Sequence, residues 1–529
     1  MKIKSFSQEL QTRIDRSEGY QRALATLLNG KEATRRSWVY EKVDPAEVLS
    51  SWMERLTQLE SDEDLKLIAE WDLGKASKFG PQGEVAPFSE RQETLKEYWE
   101  HLSCPTIFST PLWEKAIKAT ILDLGFNQSG SPVSYDRVVD RGLGENKYTT
   151  SSCDPLFQRR KLPSSIAQAV QAATDGTWKK YYPVLGSRAT MGKVGKEARW
   201  IFMFPFSVNL VEQSFQQPLQ DYIRSKRVEF FTPWEGWESV QKVISSKSSH
   251  LLKFGCDYTK MDQHFNYWHA EQCYHVIKHF FHPKYWDRLH ESIEYTFNCD
   301  IVAAEYLIEG PHAMPSGSGW TNFLETMFNF ILLHYLEMKF HLKFEGAMGI
   351  GDDQLYFIDY EGDVDGLTEL IVRTFNECGL DSQSQKQEVH YTHTTFLQRS
   401  IWATWNGVDD STPWAGVYPT VRALTSEIYP EMYHNDDDWD AETFALRCLM
   451  IMENCNQHPL FKEFCIFIAE GNSNIKDYVL SGPENWKKVV QRARGIRNFI
   501  PTYNQAVSNM DCGTMASIRV LEAYYRNRA

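Results

Sequence analysis

Two adjacent carboxylates, Asp352 and Asp353, stand between short apolar runs in the stretch Phe344 to Ile358, joined by Gly351-Asp352-Asp353-Gln354. Apolar runs of strand length on either side of a Gly-led turn predict a β-hairpin with both carboxylates at its tip. Such a tip gains no stability from paired aspartates, which repel one another unless a divalent cation neutralises them. The tripeptide alone occurs by chance in about one chain of this length in ten, so partners must be found elsewhere. One is Asp257, which ends the apolar strand Leu251 to Cys256, at the end where open sheets place their sites. Asp262 follows, and fits either the same cluster or the acidic start of the next helix.

Two further stretches favour anions. Between Lys179 and Arg199 the cations Lys179, Lys180, Arg188, Lys193, Lys196 and Arg199 are opposed only by Glu197, and Gly186, Gly192 and Gly195 allow a hairpin-like arm that gathers charge on one phosphate group. A solvated loop is the plainer reading of such a run. His312 to Gly319, with Ser316, Gly317 and Ser318, is a flexible loop entering an amphipathic helix marked by Leu324, Met327, Phe328, Ile331, Leu332, Tyr335 and Met338. Asn322 and Glu325 are placed as its N-cap pair, and two glycines and two serines ahead of a helix offer an anion or ribose site.

The elements that must position these groups come from a large, well-folded chain. Its 529 residues exceed what one core usually serves, and 42% hydrophobic with 14% aromatic residues leave little room for disorder. A net charge of −14 disfavours a non-specific nucleic-acid binder, so any polyanion must meet local basic patches. Ten cysteines without a CxxC pair predict reduced thiols and no disulfide. The N-terminus lacks an apolar signal core and no apolar run reaches membrane-spanning length, which predicts a soluble protein made in the cytoplasm. No repeat or low-complexity segment is present. Helices are expected over Gln8 to Leu28 and Pro45 to Leu59, and again over Leu367 to Cys378, closed by Gly379. Beyond about residue 410 they are expected over Glu442 to Cys455, Pro459 to Glu470, Trp486 to Arg497 and Met515 to Tyr525. Thr150-Ser151-Ser152-Cys153-Asp154-Pro155 is a hydroxyl-rich turn running into Arg159-Arg160-Lys161, and Asp436-Asp437-Asp438 with Asp440 reads as a solvated acidic loop.

Strand–Asp257, Gly-Ser loop–helix, Asp352-Asp353 hairpin, helix, Lys386 and a closing strand follow one another in the order of a polymerase palm. Over residues 150 to 402 the sequence resembles the viral RNA-dependent RNA polymerases, nearest to those of small double-stranded RNA viruses of picobirnavirus and partitivirus type. Asp257 and Asp262 match the aspartates of the first palm motif, Pro315 to Asn322 the second, and Gly351-Asp352-Asp353 the third. Gly379-Leu380 with Lys386 resembles the fourth motif, and Phe396-Leu397-Gln398-Arg399 the fifth, which grips the primer strand. Arg188, Lys193, Lys196 and Arg199 match the basic finger motif over the nucleotide, and Thr150-Ser151 with Pro155 resembles the motif that guides the template, without its glycine. Glu325 departs from the asparagine of picornavirus-like enzymes.

The resemblance implies an α+β right-hand polymerase, its hand closed, with an antiparallel palm sheet packed on helices. It implies residues 1–60 bridging fingers and thumb, 61–205 fingers, 206–265 palm, 266–310 a return to the fingers, 311–405 palm and 406–529 thumb. Phosphoryl transfer by two magnesium ions, with manganese as a substitute, would use Asp257 and Asp352 as ligands and Asp353 as an auxiliary. Arg188, Lys193, Lys196 and Arg199 would hold the triphosphate and Lys386 would protonate the leaving pyrophosphate. Asp262 and Asn322 would read the ribose 2′-hydroxyl, with Ser316, Gly317 and Thr321 lining the nucleotide. Thr150, Ser151, Phe396, Leu397, Arg399 and, in a basic thumb helix, Lys488, Arg492 and Arg497 would touch RNA. The expected partners are a single-stranded template, the nascent duplex, ribonucleoside triphosphates and a viral capsid protein, with no membrane, in the virion interior and host cytoplasm. The rivals are a metal-dependent nuclease, which would need neither a ribose-reading motif nor a triphosphate arm, and a non-enzymatic RNA-binding protein of a capsid.

Overall fold

The computed structural model describes residues 1–189, 192, 195–247, 249–432, 437–496, 499 and 512–528. The strands, in chain order, are β1 Ile3–Lys4, β2 Val184–Arg188, β3 Arg199–Met203, β4 Leu252–Cys256, β5 Ile301–Ala303, β6 Tyr306–Ile308, β7 Lys343–Ile350, β8 Asp353–Asp359, β9 Glu388–His390, β10 His393–Phe396, β11 Arg399–Trp402 and β12 Gly416–Val417. Among the described residues they form three sheets, ordered β7-β8-β4-β9, β1-β6-β5-β2-β3 and β10-β11-β12.

The first sheet is antiparallel throughout and carries the main core. Its side chains alternate as a pleated sheet requires. Leu252, Phe254, Tyr356 and Ile358 face helices Trp320–Phe340 and Val364–Glu377, against Phe328, Ile331, Ile371 and Phe375. On the opposite face Leu355 and Phe357 meet Val240 and Ile244 of helix Trp237–Ser246, with Phe396, Ile401 and Trp414. Lys253 lies on that face with its Nζ 3.9 Å over the Trp414 ring, and burial pushes its pKa down to about 8.

In the five-stranded sheet only β2 and β5 run parallel, and β2–β3 form a hairpin with Arg188 opposite Arg199. Arg188 and Arg199 of the expected basic arm thus stand on this hairpin, whereas Lys179 and Lys180 lie in a turn before it and Lys193 is outside the described residues. The C-terminal third is helical, over Thr420–Ile428, Ala441–Glu453, Phe461–Glu470, Ser473–Leu480, Pro483–Ala493 and Ala516–Arg526, around one apolar cluster.

The N-terminal segment is shared between the two bodies. Ile3 pairs with Ile308 in the five-stranded sheet, while Val48, Trp52 and Leu56 of helix Pro45–Leu56 enter the C-terminal cluster. There Trp52 Nε1 donates to Thr420 Oγ1 at 2.7 Å. Asp72, fully buried, accepts from the backbone N–H of Thr420 at 2.8 Å and of Val421 at 2.9 Å, capping a helix almost 350 residues away in sequence with a carboxylate.

Several boundaries differ from the sequence reading. The pattern from Gln8 to Leu28 is two helices, Gln8–Asp15 and Glu18–Asn29, because Ser17 caps the second through Tyr20 N. The helix expected from Trp486 to Arg497 runs from Pro483 to Ala493. The long helix Trp320–Phe340 begins ahead of Asn322 and Glu325, so both fall inside its first turns and form no capping pair. That helix is buried on nearly its whole surface at its N-terminal half, which turns Glu325 inward. Of the ten cysteines Cys104 is exposed and the other nine are buried. No helix among the described residues is long and apolar enough to cross a membrane.

Candidate active site

The β7–β8 hairpin turns through Gly351-Asp352, with Ile350 opposite Asp353. Gly351 adopts φ 58°, which the first central position of a two-residue hairpin turn demands and which costs a residue without a Cβ nothing. Helix Trp320–Phe340 clamps this turn from below: Thr326 Oγ1 accepts the Gly351 N–H at 2.8 Å and Asn329 Nδ2 donates to its carbonyl at 2.8 Å. Asn329 in turn accepts from Tyr258 OH at 3.1 Å, and Tyr258 accepts from Gln354 Nε2 at 2.9 Å. The turn is thus fixed by a buried polar network whose members satisfy one another.

Cys256 stands opposite Gln354, so the next residues along the two strands, Asp257 and Asp353, are cross-strand neighbours. The backbone at Asp257 is held by Gln387, whose Oε1 accepts its N–H and whose Nε2 donates to its carbonyl, each at 3.0 Å. Asp257 and Asp352 are exposed at this end of the sheet, while Asp353 is half-buried. Burial, then the charges of Asp352 and Asp257, push Asp353 up to about 7. Asp257 is raised too, by burial first and by Asp352 and Glu388, against Lys386, which lowers it. Lys386 Nζ donates to Thr259 Oγ1 at 3.0 Å, which holds the ammonium beside the carboxylates.

No three acidic, histidine or cysteine side chains among the described residues make a ready-formed metal cage. Magnesium keeps several waters and is held by one or two carboxylates plus substrate phosphates. The exposed oxygens of Asp257 and Asp352, mutually repelling and backed by Asp353, have the donor chemistry for it.

On the other side of the turn lie Asn322, Glu325 and Asp262. Asn322 is exposed and Glu325 buried, and a Cβ on Gly351 would lie 3.4 Å from Asn322 Nδ2 and 3.6 Å from Glu325 Oε2. Glu325 shares a hydrogen bond with Asp262: burial and the neighbouring Asp262 push Glu325 well above the carboxylate range, so Glu325 holds the proton and donates it to Asp262. Asp262 is itself raised by burial and by Asp352, and lowered by Arg199. Arg199, exposed at the start of β3, therefore directs its charge to this pocket. Thr321 Oγ1 donates to Pro315 O at 3.1 Å, and Ser316 Oγ has no partner among the described residues. Gly317 presses on β3, where a Cβ would fall 1.7 Å from Phe202 O.

The remaining predicted residues lie apart from this centre. Arg188 is exposed but pairs with Glu431 at 2.9 Å, and Lys196 with Glu90 at 3.2 Å; Lys193 is outside the described residues. Thr150 is exposed and Ser151 half-buried, and Arg160 Nε donates to Ser151 O at 2.9 Å. The β10–β11 hairpin corrects part of the fifth motif. Phe396 is in the core, and Arg399 is buried with its guanidinium 4.3 Å over Trp237, so only Leu397 and Gln398, both at positive φ, reach the tip. Lys488 is exposed, whereas Arg492 is engaged by Asp440 at 2.8 Å and Glu442 at 3.1 Å; Arg497 is outside the described residues. The expected stripe of free cations on that helix is shorter than its sequence suggested.

Sequence reasoning missed Thr326, Asn329, Tyr258, Gln354 and Gln387. Their only signal is polarity in otherwise apolar runs, at Thr326 and Asn329 one helical turn apart and at Gln354 on β8 directly after the aspartates.

Residues 184–415 match the family model described as viral RNA-dependent RNA polymerase. A potential RNA-dependent RNA polymerase of human picobirnavirus (strain Human/Thailand/Hy005102/-) is 26% identical over 485 residues, 86% of this chain and 85% of that protein. The crystal structure of the RNA-dependent RNA polymerase of a human picobirnavirus superposes with a TM-score of 0.80 at 21% identity, over 98% of this chain and all of the other. Its insertion-loop deletion mutant does so with 0.81 at 22%, over the same shares. At that identity the two structures speak for the fold: α+β, with helices packed on antiparallel sheets. Over residues 184–415 the chain matches the viral RNA-dependent RNA polymerases, and its fold is that of the two picobirnavirus enzymes.

Proposed function

We propose that this polymerase copies a single-stranded RNA template into a nascent duplex from ribonucleoside triphosphates, in replication and transcription of an RNA genome. The observation that carries the reading is the convergence of Asp257, Asp352 and Asp353 at one sheet end, with Asp262, Glu325 and Asn322 across the turn. Asp257 and Asp352 hold magnesium, or manganese in its place, and Asp353 supports them. The chemistry such metal ions would supply there is activation of the primer 3′-hydroxyl and neutralisation of charge on the triphosphate. Arg199, with Arg188 and Lys196 once released from Glu431 and Glu90, steadies the phosphates, and Lys386 delivers a proton to the leaving pyrophosphate. Asn322 and Asp262, the latter oriented by the proton on Glu325, meet the ribose 2′-hydroxyl. Leu397 and Gln398 at the β10–β11 tip, the turn at Thr150-Ser151 and the exposed Lys488 are the RNA contacts.

In this reading residues 61–205 and 266–310 are fingers, 206–265 and 311–405 palm, and 406–529 thumb, with residues 1–60 joining fingers to thumb. The protein works with a viral capsid protein, in the virion interior and the host cytoplasm. The test is primer-free incubation of the purified protein with single-stranded RNA, four ribonucleotides and magnesium, followed by sizing of the product. Template-length RNA that disappears with Asp352→Ala is the expected result; shortened template with no synthesis would instead make it a nuclease.

A further inference from the structure

Helix Phe206–Lys226 buries an amide and a carboxylate among apolar neighbours, Asn209 and Glu212. Glu212 has no exposed surface and, among the described residues, no cation is paired with it. Its carboxylate instead accepts four neutral donors: Ser318 Oγ at 2.5 Å, Gly319 N at 2.7 Å, Asn209 Nδ2 at 2.8 Å and Thr296 Oγ1 at 3.5 Å. Burial pushes its pKa up, and these donors pull it back. A buried charge held only by dipoles is a costly way to fill a core, so its use must lie in what it grips. It grips two consecutive residues of one loop.

That loop has nowhere else to go. Gly317 is wedged on the carbonyl of Phe202, and a Cβ on Gly319 would stand 2.9 Å from Glu212 Oε2. The Ser316–Gly319 loop is thus pinned between β3 and Glu212, and Thr321 and Asn322 follow at once on the helix it opens. Asn209 carries the contact further. Its Oδ1 accepts from Arg160 Nη2 at 2.8 Å, Arg160 holds the Ser151 carbonyl, and Phe206 N donates to Ser152 O at 2.9 Å.

We propose that Glu212 is a positioning residue for ribonucleotide selection. It fixes the Ser316–Gly319 loop against β3 and, through Asn209 and Arg160, ties that loop to the turn at Ser151-Ser152. A template seated on the turn and a sugar seated beside the loop are then registered by one connected set of hydrogen bonds. The inference rests on the roles given to that loop and turn under the proposed function.

The experiment uses the full chain and measures single-nucleotide incorporation of ribonucleotides against 2′-deoxynucleotides on a primer–template, together with template affinity and thermal stability. Glu212→Gln keeps the shape and removes the charge, Asn209→Ala cuts the link to Arg160, and Asn322→Ala is the control for the loop's role. Expected for Glu212→Gln is a raised KM for the ribonucleotide and about a tenfold loss of ribose preference, with kcat, template affinity and Tm near wild type. Asn209→Ala moves the same ratio in the same direction by a smaller factor. If Asn322→Ala loses the preference while Glu212→Gln and Asn209→Ala both keep it, the inference is overturned and the reading of the loop stands. If Asn322→Ala also keeps it, the reading of the loop fails and takes the inference with it. Loss in Glu212→Gln alone refutes the link to the Ser151 turn. Should Glu212→Gln fail to fold, Ser318→Ala, which removes one of the two loop contacts, replaces it with the same expected loss.

Discussion

Replacing Asp353 by asparagine should make the metal-free protein more stable while impairing synthesis. Asp353 is half-buried between Asp257 and Asp352, and its pKa is raised from 3.8 to about 7, by burial first and then by those two charges. At about 1.4 kcal/mol per pH unit, that displacement amounts to about 4 kcal/mol against the folded state once the group is ionised. The sign follows from the direction. Below pH 3.8 the carboxyl is protonated in both states and costs nothing. The penalty grows as pH rises and is complete above about 7, the folded-state value. Asparagine keeps the shape without the charge, so the variant's advantage is largest near pH 8 and fades towards pH 4, with about 4 kcal/mol as its ceiling. The assay is thermal denaturation of wild type and Asp353→Asn at matched scan rate across this pH range in a chelator, repeated with magnesium. Magnesium should stabilise the wild type more than the variant and narrow the gap. An advantage of equal size at pH 5 and pH 8, or a wild type more stable at pH 8 without metal, would refute the argument that three unneutralised carboxylates load this sheet end.

Other perturbations separate chemistry from scaffold. Asp352→Ala, at an exposed turn whose backbone is held by Thr326 and Asn329, should abolish nucleotide addition while template binding and thermal stability persist. Asp262→Ala should lower the preference for ribonucleotides over deoxynucleotides by about tenfold, read as a ratio of kcat/KM values, because it removes one hydrogen bond to the 2′-hydroxyl. Glu431→Ala should free Arg188 and lower the KM for nucleotide, with Arg188→Ala raising it; an unchanged KM in both variants would remove Arg188 from the nucleotide path. Asp72→Ala strips acceptors from Thr420 N, Val421 N and Thr420 Oγ1, and removes the carboxylate that lies 3.1 Å from buried His458. A loss of about 3–5 kcal/mol is expected, seen as faster hydrogen exchange across the C-terminal helices.

What could be read from the chain was whatever local pattern dictates. An apolar strand that ends on Asp257, a Gly-led turn before two aspartates and a glycine-spaced basic hairpin each declare themselves within a dozen residues. Groups that act across hundreds of residues do not. Glu212 sits in a run that reads as an ordinary amphipathic helix, and only the tertiary fold brings Ser318 and Gly319 to it. Arg399 looks like a free cation in sequence, yet Trp237 and Tyr418 enclose it. Asn322 and Glu325 have capping-box spacing, but burial of helix Trp320–Phe340 let the helix start earlier and turned Glu325 towards Asp262. The basic thumb helix was overcounted because charge in sequence does not reveal that Asp440 and Glu442 already occupy Arg492.

The shared N-terminal segment bears on how the chain acquires its structure. Ile3 must wait for Ile308, and Trp52 for Thr420, before either finds its partner. At synthesis rates of about 5–20 residues per second, the first helices spend tens of seconds on the ribosome with their apolar faces unmatched. Contacts so distant in sequence carry a heavy loop-closure cost and place the chain among slow folders. The five-stranded sheet therefore waits on Ile308, and the C-terminal cluster on helices that begin only at Thr420. A protease cutting within residues 1–60 during that interval would leave both the five-stranded sheet and the C-terminal cluster short of a strand or a helix.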